Sequence, residues 1–300
     1  MTRRNTPRIS FIGFGEAGQA IASGLRDTGI ERIAAWDILF PEAAGARLKS
    51  AGETIGVRVA SSAADAVRDS DMIISAVTAA SSLEAARSVA PHLAGNPYYL
   101  DINSVSPGRK QETATLFGQS ARYVDVAVVA PIHPARHRTP LLISGPHAEE
   151  ISPLLRELEM QLTVISPEVG SAAAIKMIRS VMIKGIEALT LECFLAAARA
   201  GVLEEVTASL KNNYPTLNWV GIADYNLERM ASHGERRAAE MEESAATLRE
   251  LGLDPLMVDS TVKRQREMGA IGKQEAVRQT LKSGRAAMLK AISALAKGRH

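Results

Sequence analysis

Three hundred residues exceed what one minimal domain needs and suit two. Apolar residues make up 46% of the chain and charged residues 23%, ordinary globular values that exclude collagenous, disordered and disulfide-dense classes. The 35 Lys and Arg nearly balance the 33 Asp and Glu, so the overall charge demands neither nucleic acid nor an anionic membrane, and a small-molecule ligand is expected.

Cys193 is the single cysteine, which excludes an internal disulfide and a paired-cysteine zinc site; no metal site is expected. The opening MTRRNTPR is basic but runs straight into RISFIG, without the longer apolar region and cleavage site of a secretory signal. No run of about 18 uncharged apolar residues is present, and the expected compartment is the cytoplasm.

The first half reads as short β-rich apolar runs separated by Ala-rich helical stretches, the alternation of βαβ units around a parallel sheet. The runs are Arg8 to Ile12, Arg32 to Asp37, Gly56 to Val59, Met72 to Val77, Tyr98 to Ile102, Tyr123 to Val129, Leu141 to Ser144 and Leu162 to Ile165. Between the first two, Gly13-Phe14-Gly15-Glu16-Ala17-Gly18 follows a strand at once and opens a helix over Glu16 to Asp27. In that context Gly13 permits the tight turn, Gly15 lets backbone amides approach a pyrophosphate, and Gly18 allows close helix packing. The phosphates would lie at the positive end of the helix. Nineteen residues after Gly18, Asp37 ends the second strand, where a carboxylate can accept from a ribose 2′-hydroxyl; NAD is therefore expected ahead of NADP. Val77, at the end of the fourth run, is a further cofactor-binding candidate.

After Pro167 the strand pattern stops. Residues 1–166 read as a doubly wound dinucleotide-binding domain and 167–300 as an all-helical domain for substrate and dimerisation. Gly170 to Ala200 forms one long helical pattern, and further helices follow with interruptions near Gly201, Pro215, Gly252 to Pro255 and Gly269. On the long helix Ile175, Ile178, Met182, Ile186, Leu189 and Cys193 share a face, and Met177, Val181, Leu191 and Leu195 widen it, which predicts burial on most sides. Lys176, Ser180, Lys184 and Glu187 line up in the remaining polar sector. Arg179 falls within the apolar face, so it must pair there unless the helix is open at that point. Leu227, Met230, Gly234, Ala238, Met241, Ala245 and Leu248 form a second stripe, flanked by His233 and Arg237. Those two cations are candidates for a substrate carboxylate or phosphate, or for an ion-pair face with Glu240. Trp219 reads as packing, and Lys282 to His300 as a closing amphipathic helix.

Nearly the whole chain resembles the β-hydroxyacid dehydrogenase superfamily, which includes 3-hydroxyisobutyrate and phosphogluconate dehydrogenases and, more distantly, imine reductases. The run from Asp101 to Pro107 is similar to the motif near the nicotinamide, which implies cofactor contact for Ser104. Gly170 to Lys176 resembles the approach to the catalytic lysine, which implies that Lys176 is the general acid/base. Ser180 stands where the family carries an amide and is taken as substrate-binding. From Asp125 onward the substrate-clamp motif departs: Val129 replaces a Ser, and Ala130-Pro131 replaces Gly-Gly. His133 and His137 follow that loop and are candidates to replace the lost contacts. The segment from Arg229 through His233 to Met241 resembles a less characterised branch whose helical domain has no assigned role. The resemblance implies hydride transfer between NAD(P) and a small hydroxy acid or its keto partner, by a homodimer joined through the helical domain. Reduction of a C=N bond and a non-catalytic dinucleotide sensor are the alternatives.

Overall fold

The computed structural model describes residues 6–296, and the chain divides into two compact units between Met177 and Ile178. The sequence pattern changes earlier, at 166/167, because the first turns of the long helix belong with the sheet unit.

In the first unit β1 (Ile9–Ile12), α1 (Glu16–Asp27), β2 (Ile33–Trp36), α2 (Ala46–Ile55), β3 (Arg58–Val59), α3 (Ala63–Val67), β4 (Met72–Ser75), α4 (Ser82–Val89), β5 (Tyr98–Asp101) and α5 (Pro107–Phe117) alternate. They are followed by β6 (Arg122–Val128), β7 (Leu141–Ser144), α6 (Ala148–Glu157) and β8 (Leu162–Ser166). The strands make one eight-stranded sheet in the order β3-β2-β1-β4-β5-β6-β7-β8. Every residue of β1, β4 and β5 is buried, as the continuous apolar runs require of strands covered on both faces.

One pairing departs from the parallel expectation: β6 and β7 are antiparallel. A parallel return needs a crossover, usually a helix. The segment between these strands, 129–140, holds only a short 3-10 turn over Arg136–Arg138. The sheet reverses its winding between β1 and β4, and ligands of open α/β sheets bind outside the strand ends at such a point. The loops carrying Gly13 and Val77 lie there.

The long helix α7 (Ser171–Ala200) runs out of the first unit, and the second is completed by α8 (Leu203–Asn213), α9 (Trp219–Glu250), α10 (Leu256–Gly272), α11 (Glu275–Arg278) and α12 (Arg285–Ala296). The stripe on α9 is its packing face: Leu227, Met230, Ala238, Met241 and Ala245 are all buried. Gly269 does not interrupt α10, which continues to Gly272. A Cβ on Gly269 would stand 2.5 Å from the Glu235 nitrogen, and one on Gly272 2.0 Å from the Ala231 oxygen. These glycines let the two helix backbones meet, and that closeness offsets the roughly 1 kcal/mol a helical glycine costs. Trp219 packs as expected, with its ring edge-on to Tyr214 at 5.9 Å and Nε1 donating to the Leu210 carbonyl at 3.1 Å. Met288, Leu289 and Ile292 bury one face of α12; residues 297–300 of the expected closing helix lie outside the described residues.

On α7 Met177 and Leu191 are buried as expected, but the main apolar face reverses the expectation. Ile175, Ile178, Met182, Ile186 and Leu189 are exposed, Met182 by 65%, whereas Ser180, Lys184 and Glu187 are buried. The polar sector is the inward face of the helix because α9 supplies complementary charges to it in Arg237 and Glu240, and α10 supplies the Gln265 amide. Arg179 is exposed, so the helix is open at that point. Cys193 is half-buried against the apolar cluster that contains Phe194 and Leu227. Among the described residues no helix is long and apolar enough to cross a membrane.

Candidate active site

The glycine-rich turn is built as its spacing predicts. Gly13 has φ +90°, and a Cβ there would stand 2.4 Å from the Ala76 carbonyl oxygen on the loop after β4. A side chain at Gly18 would meet the Gly13 oxygen at 2.6 Å. Gly15 is the N-cap of α1, no side chain caps that end, and nothing lies within 4 Å of where its Cβ would be. An uncapped helix N-terminus with open space before it fits the pyrophosphate of a dinucleotide. Gly13, Gly15 and the half-buried Ala17 would hold it by main chain, while exposed Glu16 puts a negative charge in the first turn that opposes an anion.

Phe14 is fully buried, its ring 6.4 Å from Phe11 and 6.2 Å from Phe40, so only its main chain can serve the cofactor. Its amide donates to Asp37 Oδ2 at 2.7 Å, and the Leu39 amide donates to Asp37 Oδ1 at 3.0 Å. Asp37, directly after β2, therefore fixes the glycine loop. Each carboxylate oxygen has a second lone pair, which leaves acceptor capacity for a ribose hydroxyl.

Across the switch point the Val77 amide donates to Asn103 Oδ1 at 2.7 Å, and Asn103 Nδ2 donates to Ser75 Oγ at 2.9 Å. Asn103 is buried and ties the loop after β4 to the loop after β5, a role that sequence reasoning missed. The next residue is Ser104, whose Oγ accepts from Lys176 Nζ at 2.6 Å. Both side chains are half-buried. The structure thus brings together two residues 72 positions apart that the sequence had singled out separately.

The start of α7 is held by two side chains of the sheet. Asp125 Oδ2 accepts from the amides of Gly170 at 3.2 Å and Ala173 at 3.1 Å and from Ser144 Oγ at 2.9 Å, while Ser144 Oγ accepts from the Ala172 amide at 3.0 Å. A carboxylate at a helix N-terminus satisfies orphan donors and complements the dipole. Lys176 follows about one turn later. Behind this cap lies Lys110, 1% exposed, its Nζ donating to the Asp101 carbonyl at 2.5 Å and standing 3.2 Å from Asp101 Oδ1 and 3.4 Å from Asp125 Oδ1. Tyr123 donates its hydroxyl to Asp101 Oδ2 at 2.8 Å, and burial holds that phenol well above the usual tyrosine range.

Other candidates are engaged elsewhere. Arg237 is buried and forms a two-pronged pair with Glu187, its Nε 3.0 Å from Oε2 and its Nη2 on Oε1, and Gln265 Nε2 donates to the same Oε2 at 2.7 Å. Its fork is engaged by Glu187 rather than presented to a substrate. Glu240 pairs instead with Lys184 at 2.9 Å and with Arg236 at 3.0 Å. Ser180 is buried and accepts from Lys184 Nζ at 3.2 Å; burial lowers the Lys184 ammonium from its ordinary pKa, opposed by Glu240. His233 is half-buried in an open groove of about 590 Å³ that Arg236, Lys273 and Arg278 also line. His133 is exposed in the loop between β6 and β7. His137 is buried against Gly24 of α1, and burial together with Arg138 and Arg136 lowers its imidazole pKa.

A family model described as NADP oxidoreductase, coenzyme F420-dependent, matches residues 8–103, and one described as a domain of unknown function, DUF1932, matches residues 197–268. A conserved hypothetical protein of Sinorhizobium meliloti is 35% identical, covering 95% of each chain with a TM-score of 0.76. A conserved protein of unknown function, described as structurally similar to 3-hydroxyacid dehydrogenases, is 31% identical over 88% of this chain and 97% of its own, with a TM-score of 0.69. The chain belongs to the β-hydroxyacid dehydrogenase-like family. It is a member of the branch with a helical C-terminal domain. An uncharacterised 28.5 kDa protein of Methanothermus fervidus is 27% identical over 85% of this chain. The 3-hydroxyisobutyrate dehydrogenase of Mycobacterium tuberculosis shares the fold of this family member at 15% identity, with a TM-score of 0.70.

Proposed function

We propose that the protein transfers hydride between NAD(H) and a small hydroxy acid or its keto partner, with Lys176 as general acid/base. The observation that carries this reading is the 2.6 Å contact of Lys176 Nζ with Ser104 Oγ, on the loop after β5 beside the switch point. When bound, the nicotinamide supplies the hydride acceptor or donor. In oxidation the uncharged Lys176 amine takes the substrate hydroxyl proton as the C–H electron pair leaves with hydride and C=O forms; in reduction its ammonium returns that proton. Ser104 orients Nζ by accepting from it, and Asn103 fixes the Val77 amide beside the same site. The exposed His133 remains a candidate for orienting substrate, whereas Ser180 is engaged by Lys184 and Arg237 by Glu187.

The experiment is a fluorescence titration of NADH and NADPH against wild-type protein and Asp37→Ala, followed by product analysis with ketone and imine panels. Asp37 offers a carboxylate to the ribose, and a charge-assisted hydrogen bond contributes about 1.5–3 kcal/mol. NADH is expected to bind more tightly than NADPH, with Asp37→Ala weakening NADH by roughly tenfold or more and leaving NADPH less affected. Equal binding of both nucleotides to both proteins sinks the preference for NAD, and turnover of imines but not ketones replaces the hydroxy-acid reading.

The dimer belongs to the same proposal. Ile178, Met182, Ile186 and Leu189 form an exposed apolar face on α7, the kind of surface that marks association. In a two-fold interface each substitution counts twice. Met182→Glu is expected to weaken the dimer by about a hundredfold to ten-thousandfold in sedimentation velocity, from the roughly 1.5–3 kcal/mol each buried side chain contributes, counted twice. A wild-type chain that sediments as a monomer contradicts the assignment.

A further inference from the structure

We infer that Lys110 is a positioning residue that holds Ser104 and Lys176 in register for proton transfer. This rests on the dehydrogenase reading above, because it assigns a task to the same pair. A fully buried ammonium is costly, several kcal/mol even after relaxation, and an apolar side chain would fill the volume without that cost. What Lys110 touches gives it a different purpose. Asp101 and Asp125 are direct partners on the neighbouring parallel strands β5 and β6, both within 1% of full burial. Like charges placed opposite each other across a sheet are destabilising, more so away from water. Lys110 Nζ lies within 3.4 Å of an oxygen of each, so one cation holds two carboxylates side by side.

Each carboxylate in turn holds one half of the pair. Asp101 starts the loop that carries Ser104: its Oδ1 accepts from the Asn103 amide at 3.0 Å, and its main-chain carbonyl accepts from Lys110 itself. Asp125 clamps the first turn of α7 through the amides of Gly170 and Ala173. Lys110 is the group that touches both anchors. Without its charge one carboxylate must take up a proton or the two must separate, and either change moves Ser104 relative to Lys176. A misplacement of about 1 Å at reacting groups costs roughly a hundredfold in rate.

The test is Lys110→Met in the full chain, with four readouts: nucleotide affinity, the kcat and KM split, a cycle with Ser104→Ala, and the titration of Lys176. The last is followed by NMR of ¹³C-methylated lysines, assigned with Lys176→Arg. The expected result is NADH affinity within about threefold of wild type and KM within about threefold, because the glycine loop is untouched. The turnover number is expected to fall roughly a hundredfold. Ser104→Ala is expected to cost much less in the Lys110→Met background than in wild type, as coupled sites do. The Lys176 midpoint is expected to shift. Unchanged kcat and an unchanged Lys176 titration overturn the proposal, as does a simple sum of the two substitutions in the cycle. Should Lys110→Met not fold, Lys110→Gln removes the same charge while keeping a donor and is read in the same way. If the wild type turns over no substrate, the dehydrogenase reading fails, while the Lys176 titration still decides whether Lys110 positions that amine.

Discussion

Lys176→Ala is expected to lower kcat by about a hundredfold to ten-thousandfold, the range that a positioned general acid/base contributes, while NADH binds as it does to wild type. The two effects separate because the residue and the nucleotide loop are anchored differently. Gly13, Gly15 and Gly18 depend on β1, α1 and Asp37, whereas Lys176 depends on the cap of α7 by Asp125 and Ser144. Lys176→Arg is the informative companion, since it keeps a cation beside Ser104 but cannot give up its proton at ordinary pH. If Arg restores turnover, the residue acts as a fixed charge on the substrate and not as an acid/base. A Lys176→Ala enzyme with wild-type kcat removes the proposed mechanism altogether.

Glu187→Ala is expected to destabilise the second unit by about 3–5 kcal/mol, because it leaves the buried Arg237 guanidinium without its counter-charge. Glu187 is 1% exposed and Arg237 7%, so solvent cannot take over the lost interaction. Arg237→Met is expected to cost a similar amount by leaving Glu187 buried without its guanidinium partner. The double variant Glu187→Leu with Arg237→Met is expected to recover most of the loss, since apolar replacements of a buried pair are often tolerated. The protein has two tryptophans, one in each unit, so urea unfolding followed by Trp219 fluorescence in a Trp36→Phe background reads the second unit alone. Single substitutions that each cost less than about 1 kcal/mol would place the pair in the class of solvent-screened surface bridges. An Arg237→Met enzyme of unchanged stability and greatly raised KM would return Arg237 to the substrate.

The strands and the glycine turn were legible because each depends on local pattern or on motif spacing, whereas Lys176 and Ser104 were singled out separately by resemblance and their contact was not. All eight apolar runs became strands, since a continuous apolar run leaves a chain few other ways to bury both faces. The sense of β7 was not legible: it follows from what lies between β6 and β7, a segment without a helix. The orientation of α7 was misread because a hydrophobic wheel assumes that apolar residues face inward. Here Lys184 and Glu187 face inward, supplied with partners by Glu240 and Arg237, residues at least 50 positions away on another helix. Periodicity carries no signal of such long-range charge pairing, and for the same reason it did not identify Glu187 as the partner of Arg237. Lys110 was equally silent. A lone lysine on a short helix reads as surface until the two aspartates of neighbouring strands are seen on either side of it.

Deuterium transfer tests the central claim most directly. NADH deuterated at the transferable position is incubated with the protein and a panel of small keto acids, and the products are weighed by mass spectrometry. The account predicts a hydroxy acid carrying one deuterium at the carbinol carbon, formed by the wild type and lost in Lys176→Ala. Nucleotide that binds but passes deuterium to no carbonyl or imine substrate would contradict it, and would leave a dinucleotide-binding protein that does no hydride chemistry.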